Sequence, residues 1–268
     1  GTIEIDRNDK TITIKDATAT FHNGALHSAR AVAYFNDSGS VHSVHIPLLL
    51  DRCLLNVSHD LFAMVSGVVT VTATDILHPH IKGSLILDRA QLKENIFALA
   101  LQKRLFAVTD VWRDLKEFSL TGDIFVETKE PVRIDTDFLR ANASVALHLS
   151  HNMHEPNIEG SISLDAGVLN FPYKPLHLSK GKLTFLGGQS LNPQIDVVAK
   201  NKIKNHHVSL YVNGSVRDPF VLLEATPLLT EEQIVSLLLV GSAEASLSAV
   251  VPSLLVNNIT NLIFSPNQ

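Results

Sequence analysis

Apolar residues fall at every second position over most of the chain. Ile3, Ile5, Ile12 and Ile14 share one side of a pleat in TIEI and TITI, and Ala17, Ala19 and Phe21 do so in ATATF. The same alternation places Val69, Val71 and Ala73 together, then Ile81, Leu85 and Leu87, then Leu120, Ile124 and Val126. It runs on through Val145, Leu147 and Leu149, through Ile162 and Leu164, and through Val208, Leu210 and Val212 to about Glu224. Successive side chains of a strand point to opposite faces, so this period predicts many short strands, each apolar on one face only. Turn residues stand between the runs: His22-Asn23-Gly24, Asp37-Ser38-Gly39, Gly187-Gly188, Asn213-Gly214 and Asp218-Pro219.

The chain also repeats itself. PHIKGSLILDRAQL begins at Pro79 and PNIEGSISLDAGVL at Pro156. Each proline is expected just before a strand, where no ladder hydrogen bond is lost. Ile81 with Leu85 and Ile158 with Ile162 fall on the same parity, so both copies present one face. Repeated strand units predict growth along one axis, each unit covering its apolar face with its neighbours. Between the copies, alternation fails and charge rises over Asp110 to Glu117 (DVWRDLKE). That segment is read as a short helix or a loop and as a sub-boundary; Leu99 to Val108 before it is ambiguous.

The tail changes period. Thr230 precedes EEQIVSLLLVG, with Gln233 at capping-box spacing and Glu231 and Glu232 in the first turn, where the helix dipole favours carboxylates. Gly241 stands where a left-handed C-terminal residue belongs. Farther on, Leu247, Val250, Val251, Leu254, Leu255, Ile259, Leu262 and Ile263 keep helical spacing, with Pro252 kinking or starting that helix.

Composition narrows the class. AVILMFWYC make up 45% of the 268 residues and DEKR 18%, which excludes disorder for most of the chain. A net charge of −5 argues against a nucleic-acid partner. One cysteine, Cys53, excludes an internal disulfide framework and a cysteine-based zinc module. No basic start with an apolar stretch opens the chain, so a secretion signal is expected to be lacking or removed. No run of about 20 apolar residues is uninterrupted, so no membrane span is expected.

Thirteen histidines raise the question of metal. His148, His151 and His154 stand three apart, which alternates faces on a strand; His78 and His80 would share a face, and His206 and His207 are adjacent. No HExxH motif or carboxylate cluster accompanies them, so no metal site is expected. No GxSxG or phosphate loop occurs. Asp135 and Asp137 in RIDTD share a strand face, but without a second acidic pair nearby they read as solvated polar positions. No catalytic residue and no cofactor follow from the sequence, and the chain is not expected to be an enzyme. What remains is apolar surface: a one-sided sheet of this length must close on itself, stack on a second sheet or fold into a gutter.

From Glu155 to Gly241 the residues read EPNIEGSISLDAGVLNF, HLSKGKLTFLGG, LNPQIDVVAK and VSLYVNGSVRDPFVLLEATPLLTEEQIVSLLLVG. In order and spacing they resemble the C-terminal conserved domain of the translocation and assembly module subunit TamB, in the AsmA-like superfamily. The shared features are a P-x-I-x-G strand, an N-P-x-I-D strand, a G-S-x-x-D-P turn and an L-T-x-E-Q-I helix start that closes at L-L-x-G. The copy at Pro79 and Asp137-Phe138-Leu139 extend the resemblance upstream. The chain shows no inner-membrane helix, so the resemblance casts it as a fragment.

The resemblance implies a mainly β fold: an elongated, U-shaped β-taco with an apolar interior groove and short amphipathic helices at its C-terminus. Residues 1–226 would form the taco, with its repeat at about 79–97 and 156–171, and 227–268 a helical tail of the same domain. It implies a periplasmic protein of a diderm bacterium, anchored in the inner membrane through a segment absent from this chain. Glycerophospholipid would move between the membranes along the groove, acyl chains held by Ile81, Leu85, Leu87, Ile124, Val145, Leu147, Ile158, Ile162, Leu164, Leu183, Phe185, Ile195, Val197, Val208, Leu210 and Val212. The implied partners are phospholipid acyl chains and an outer-membrane Omp85-type barrel, TamA- or BamA-like. Ile234, Leu237, Leu238, Leu254 and Leu255 are candidates for docking on that barrel, and the tail helix either docks there or plugs the groove. The alternative is an assembly factor that presents outer-membrane proteins by adding a client strand to its sheet edge. Ordinary packing in a sandwich or β-helix is the third reading.

Overall fold

The computed structural model describes residues 2–6, 10–21, 24–58, 61–75, 77–92, 119–136, 138–153, 156–188 and 192–243. Strands dominate them: β1 (Thr2–Asp6), β2 (Thr11–Phe21), β3 (Gly24–Phe35), β4 (Val41–Ser58), β5 (Leu61–Ala73), β6 (His80–Leu92), β7 (Thr121–Glu127), β8 (Val132–Asp135), β9 (Leu139–Asn152), β10 (Asn157–Leu169), β11 (Leu176–Leu186), β12 (Gln194–Ile203), β13 (His206–Ser215) and β14 (Asp218–Thr226). A helix, α1 (Glu231–Val240), follows. The alternating pattern makes this a single sheet. Its hydrogen-bonded order is the chain order, with β8 set aside against β9. Neighbours run antiparallel except β6 and β7, which pair in parallel from His80–Thr121 to Ile86–Glu127. The sheet is curled and open, as the β-taco expectation requires.

Several strands carry an extra residue. Among the register shifts are those between Leu50 and Cys53 on β4, at Asp88 on β6, at Asp165 on β10 and at Ser179 on β11. Such a bulge leaves one residue out of the ladder and bends the strand. The inner-face apolar residues therefore step by three there, from Leu50 to Cys53 and from Leu87 to Ala90, instead of by two. Side chains take up the orphaned groups. The Ser66 hydroxyl accepts from the Arg52 amide at 3.0 Å and donates to the Asp88 carboxylate. Ser144 donates to Asp165 at 2.6 Å, and Ser179 to the Val198 carbonyl at 3.1 Å. Asp88 and Asp165 hold the same place in the two sequence copies, which lie on β6 and β10. Gly83 and Gly160 match as well: a Cβ at either would collide with the carbonyl oxygen of the adjacent strand, Val68 or Ala146.

The tail begins as its capping residues require. The Thr230 hydroxyl accepts from the Gln233 amide, the Gln233 side chain accepts from the Thr230 amide, and Gly241 ends the helix in the left-handed region at φ 76°. One expected turn falls elsewhere. Gly214 pairs with Pro219 inside the β13–β14 ladder, and the chain reverses at Val216-Arg217. Val216 is buried, and its amide donates to the Pro193 carbonyl, which fixes the reversal two residues beyond the Asn-Gly pair. The segments 99–108 and 110–117, Asp137 and the second tail helix expected over 247–263 lie outside the described residues.

Candidate apolar groove

Strand register assembles the inner face into rows that cross the sheet. One row runs Leu50, Gly67, Leu85, Val126, Leu147, Gly160 and Phe185. The next runs Leu48, Val69, Gly83, Ile124, Leu149 and Ile158. Toward the C-terminus, Leu183 faces Ile195, Val197 faces Val212 and then Val221, and Ala199 faces Leu210 and then Leu223. The sixteen residues expected along the groove thus share one face, but their surroundings divide them. Leu183, Ile195, Val197, Val208, Leu210 and Val212 are at most 4% exposed, and Ile158 and Leu164 are also buried. Ile81, Leu85, Leu87, Ile124, Val145, Leu147, Ile162 and Phe185 are only half-buried.

The difference lies in what crosses over the strands. Ile234, Val235, Leu237 and Leu238 of α1 join the same core as Val208, Leu210 and Leu223. The Tyr173 amide, in the β10–β11 connection, donates to the Leu238 carbonyl at 3.1 Å and ties the helix to that connection. Val132 and Ile134 of β8, Phe138 and Phe171 close the other side, the two phenylalanines edge to face at 5.7 Å. None of these four stands among the sequence-expected groove residues; the alternation in VRID signalled Val132 and Ile134, and Phe138 and Phe171 stand in segments that carry the family resemblance. Ile234, Leu237 and Leu238 are 1% exposed. Expected as a partner-docking face, they are instead turned into the sheet, because they are the apolar side of a helix that follows β14 directly. Leu254 and Leu255 lie outside the described residues.

Toward the N-terminus the described residues place no layer over the inner face. A small second cluster holds Leu50, Cys53, Ala63, Val65 and Val69, with Leu26, Leu48, Leu55, Ile81, Leu85 and Leu87 half-covered beside it. Leu26, Leu48 and Leu55 lie on the same face beyond the sequence-expected set; for Leu48 the continuous apolar run IPLLL hid the alternation.

The outer face carries polar pairs. His148 Nε2 lies 2.6 Å from Asp123 Oδ1, Lys82 Nζ lies 3.4 Å from Asp123 Oδ2, and Phe125 stacks on the His148 ring at 4.3 Å. The His148 hydrogen bond, aided by Lys82, holds the Asp123 carboxyl below its ordinary 3.8. Asp75 is lowered likewise by the Leu77 amide and by His78. Asp135 of RIDTD is engaged by Arg133 at 2.8 Å. Among the described residues no three His, Cys, Asp or Glu side chains gather as a metal site, and no helix is long and apolar enough to cross a membrane. The family model of the TamB C-terminal domain matches residues 18–268. No curated protein matches the chain significantly.

Proposed function

The chain belongs to the TamB C-terminal domain family, and from that premise we propose that the half-covered part of its sheet is a lane for phospholipid acyl chains. The family works in the bacterial envelope, in outer-membrane assembly and lipid transport. The observation that carries the finer reading is the unbroken row Leu85, Val126 and Leu147, half-buried and aligned by register across β6, β7 and β9. Each methylene kept from water there gains about 0.8 kcal/mol, and near-identical aliphatic neighbours give a chain nearly equal sites along the row. Movement along the lane then needs no strong binding at any point. The headgroup remains at the wet mouth, and no covalent chemistry is involved. α1 bounds the lane on its C-terminal side, where Val208, Leu210 and Leu223 are filled core. The setting is the periplasm, with an outer-membrane Omp85-type barrel as acceptor.

A photo-reactive residue at Leu85 or Leu147 should crosslink to phospholipid in cells, and Ile124→Arg between them should abolish both adducts. Adducts undiminished by Ile124→Arg, or formed equally from Ser84 on the outer face, would discard the lane.

A second reading, strand addition to a client barrel protein, is favoured by β14. It is the terminal strand of the sheet, nine residues long, with Phe220 60% and Leu222 40% exposed on its outer face. Long apolar edges of this kind accept a further strand. Crosslinks from Phe220 to unfolded barrel proteins, with none from Leu85 to lipid, would select it.

A further inference from the structure

We propose that one corner of the groove's rim is a docking tip for an anionic lipid surface. The β10–β11 connection, the β12–β13 turn and the segment between β14 and α1 meet there. Lys174 Nζ donates to the Lys202 carbonyl at 2.9 Å, and His206 Nδ1 lies 3.1 Å from the Pro227 carbonyl. Leu228 projects from the segment between β14 and α1 and is 91% exposed. Lys174, Lys202 and Lys204 stand exposed on the two adjoining connections, and none is ion-paired among the described residues.

The chain as a whole carries −5, so an anionic surface repels most of it and attracts only such a local group. A leucine standing almost wholly in water next to connections that carry three lysines is the composition of a membrane-surface contact. The aliphatic group enters the headgroup boundary, and the ammonium groups meet phosphates. Glu231 and Glu232, on the first turn of α1, oppose the lysines from one side. The electrostatic share is therefore moderate, and Leu228 must contribute beside it. A protein surface would match this tip less well, because a single projecting leucine near lysines offers little apolar area to bury. The inference is independent of the acyl lane.

Flotation of the full chain with phosphatidylcholine vesicles holding about 30 mol% phosphatidylglycerol should recover it with the lipid, and neutral phosphatidylcholine vesicles should not. Leu228→Asp should lower partitioning by about tenfold or more. Each of Lys174→Ser, Lys202→Ser and Lys204→Ser should lower it about fivefold. All four positions are exposed, so the urea midpoint serves as a control that should not move. Equal recovery on the two vesicle types, recovery on neither, or unchanged partitioning of the variants overturns the proposal. Crosslinking of lipid at Leu85 should survive Leu228→Asp, which separates failure of the tip from failure of the lane.

Discussion

Two stretches of one sheet, β4–β7 and β11–β14, are written in the same alternating pattern and end in different states. In the second, Leu176, Leu210 and Ile203 are wholly enclosed. In the first, Ile81, Leu85 and Leu87 retain contact with solvent. Strand sequence does not separate them; α1 does, together with β8, Phe138 and Phe171. Burying one leucine or isoleucine completely is worth roughly 1.5–3 kcal/mol, and α1 completes that burial for a whole row at once. An inward aliphatic row is thus a core or a groove according to what lies across it. The capping residues that fix where α1 begins have an indirect hold on where the groove ends.

The sharpest way to break the comparison is to truncate one leucine in each stretch. Leu210→Ala removes a fully enclosed side chain and should cost about 3–4 kcal/mol in urea unfolding. Leu85→Ala, half in solvent already, should cost less than about 1.5 kcal/mol, and equal losses would mean the N-terminal stretch is filled as well. Next in size is Gly160→Ala. At φ 119° and with the Ala146 carbonyl in its path, an added methyl should cost about 1–3 kcal/mol and shift the β9–β10 ladder amides in NMR spectra.

Thr230→Ala should cost about 1 kcal/mol and speed amide exchange in α1 while leaving β5 and β6 unchanged. The smallest effect belongs to pH. The folded Asp123 carboxyl titrates below its ordinary 3.8, so its stabilising contribution is complete above that value and fades as pH falls through the lower folded one. Asp123→Asn should remove that part of the acid limb of a stability profile.

Much of this was legible in the sequence because it depends on near neighbours. Alternation set the strand faces, and Thr230, Gln233 and Gly241 set the helix ends. The aligned Pro79 and Pro156 copies placed Asp88 and Asp165 in equivalent positions, though their use as bulge residues was not readable. A bulge depends on the partner strand's register, not on the bulged residue alone. The parallel joint between β6 and β7 also left no local mark. Nor did the direction of α1's apolar side: Ile234, Leu237 and Leu238 read equally as a docking face or as a plug, and only the packing against Leu210 and Leu223 decided it. Asn213-Gly214 misled because its turn signal was outweighed by Val216, whose burial and bond to Pro193 set the hairpin's length.

Because sheet order follows chain order, thirteen strands along one path work as a ruler. At roughly 4.8 Å between neighbours the path measures about 58 Å, and one more hairpin would lengthen it by about 10 Å without altering its cross-section. Lineages facing envelopes of different depth could therefore match the span by duplicating or deleting hairpin modules in the gene, leaving every existing contact except those at the splice untouched.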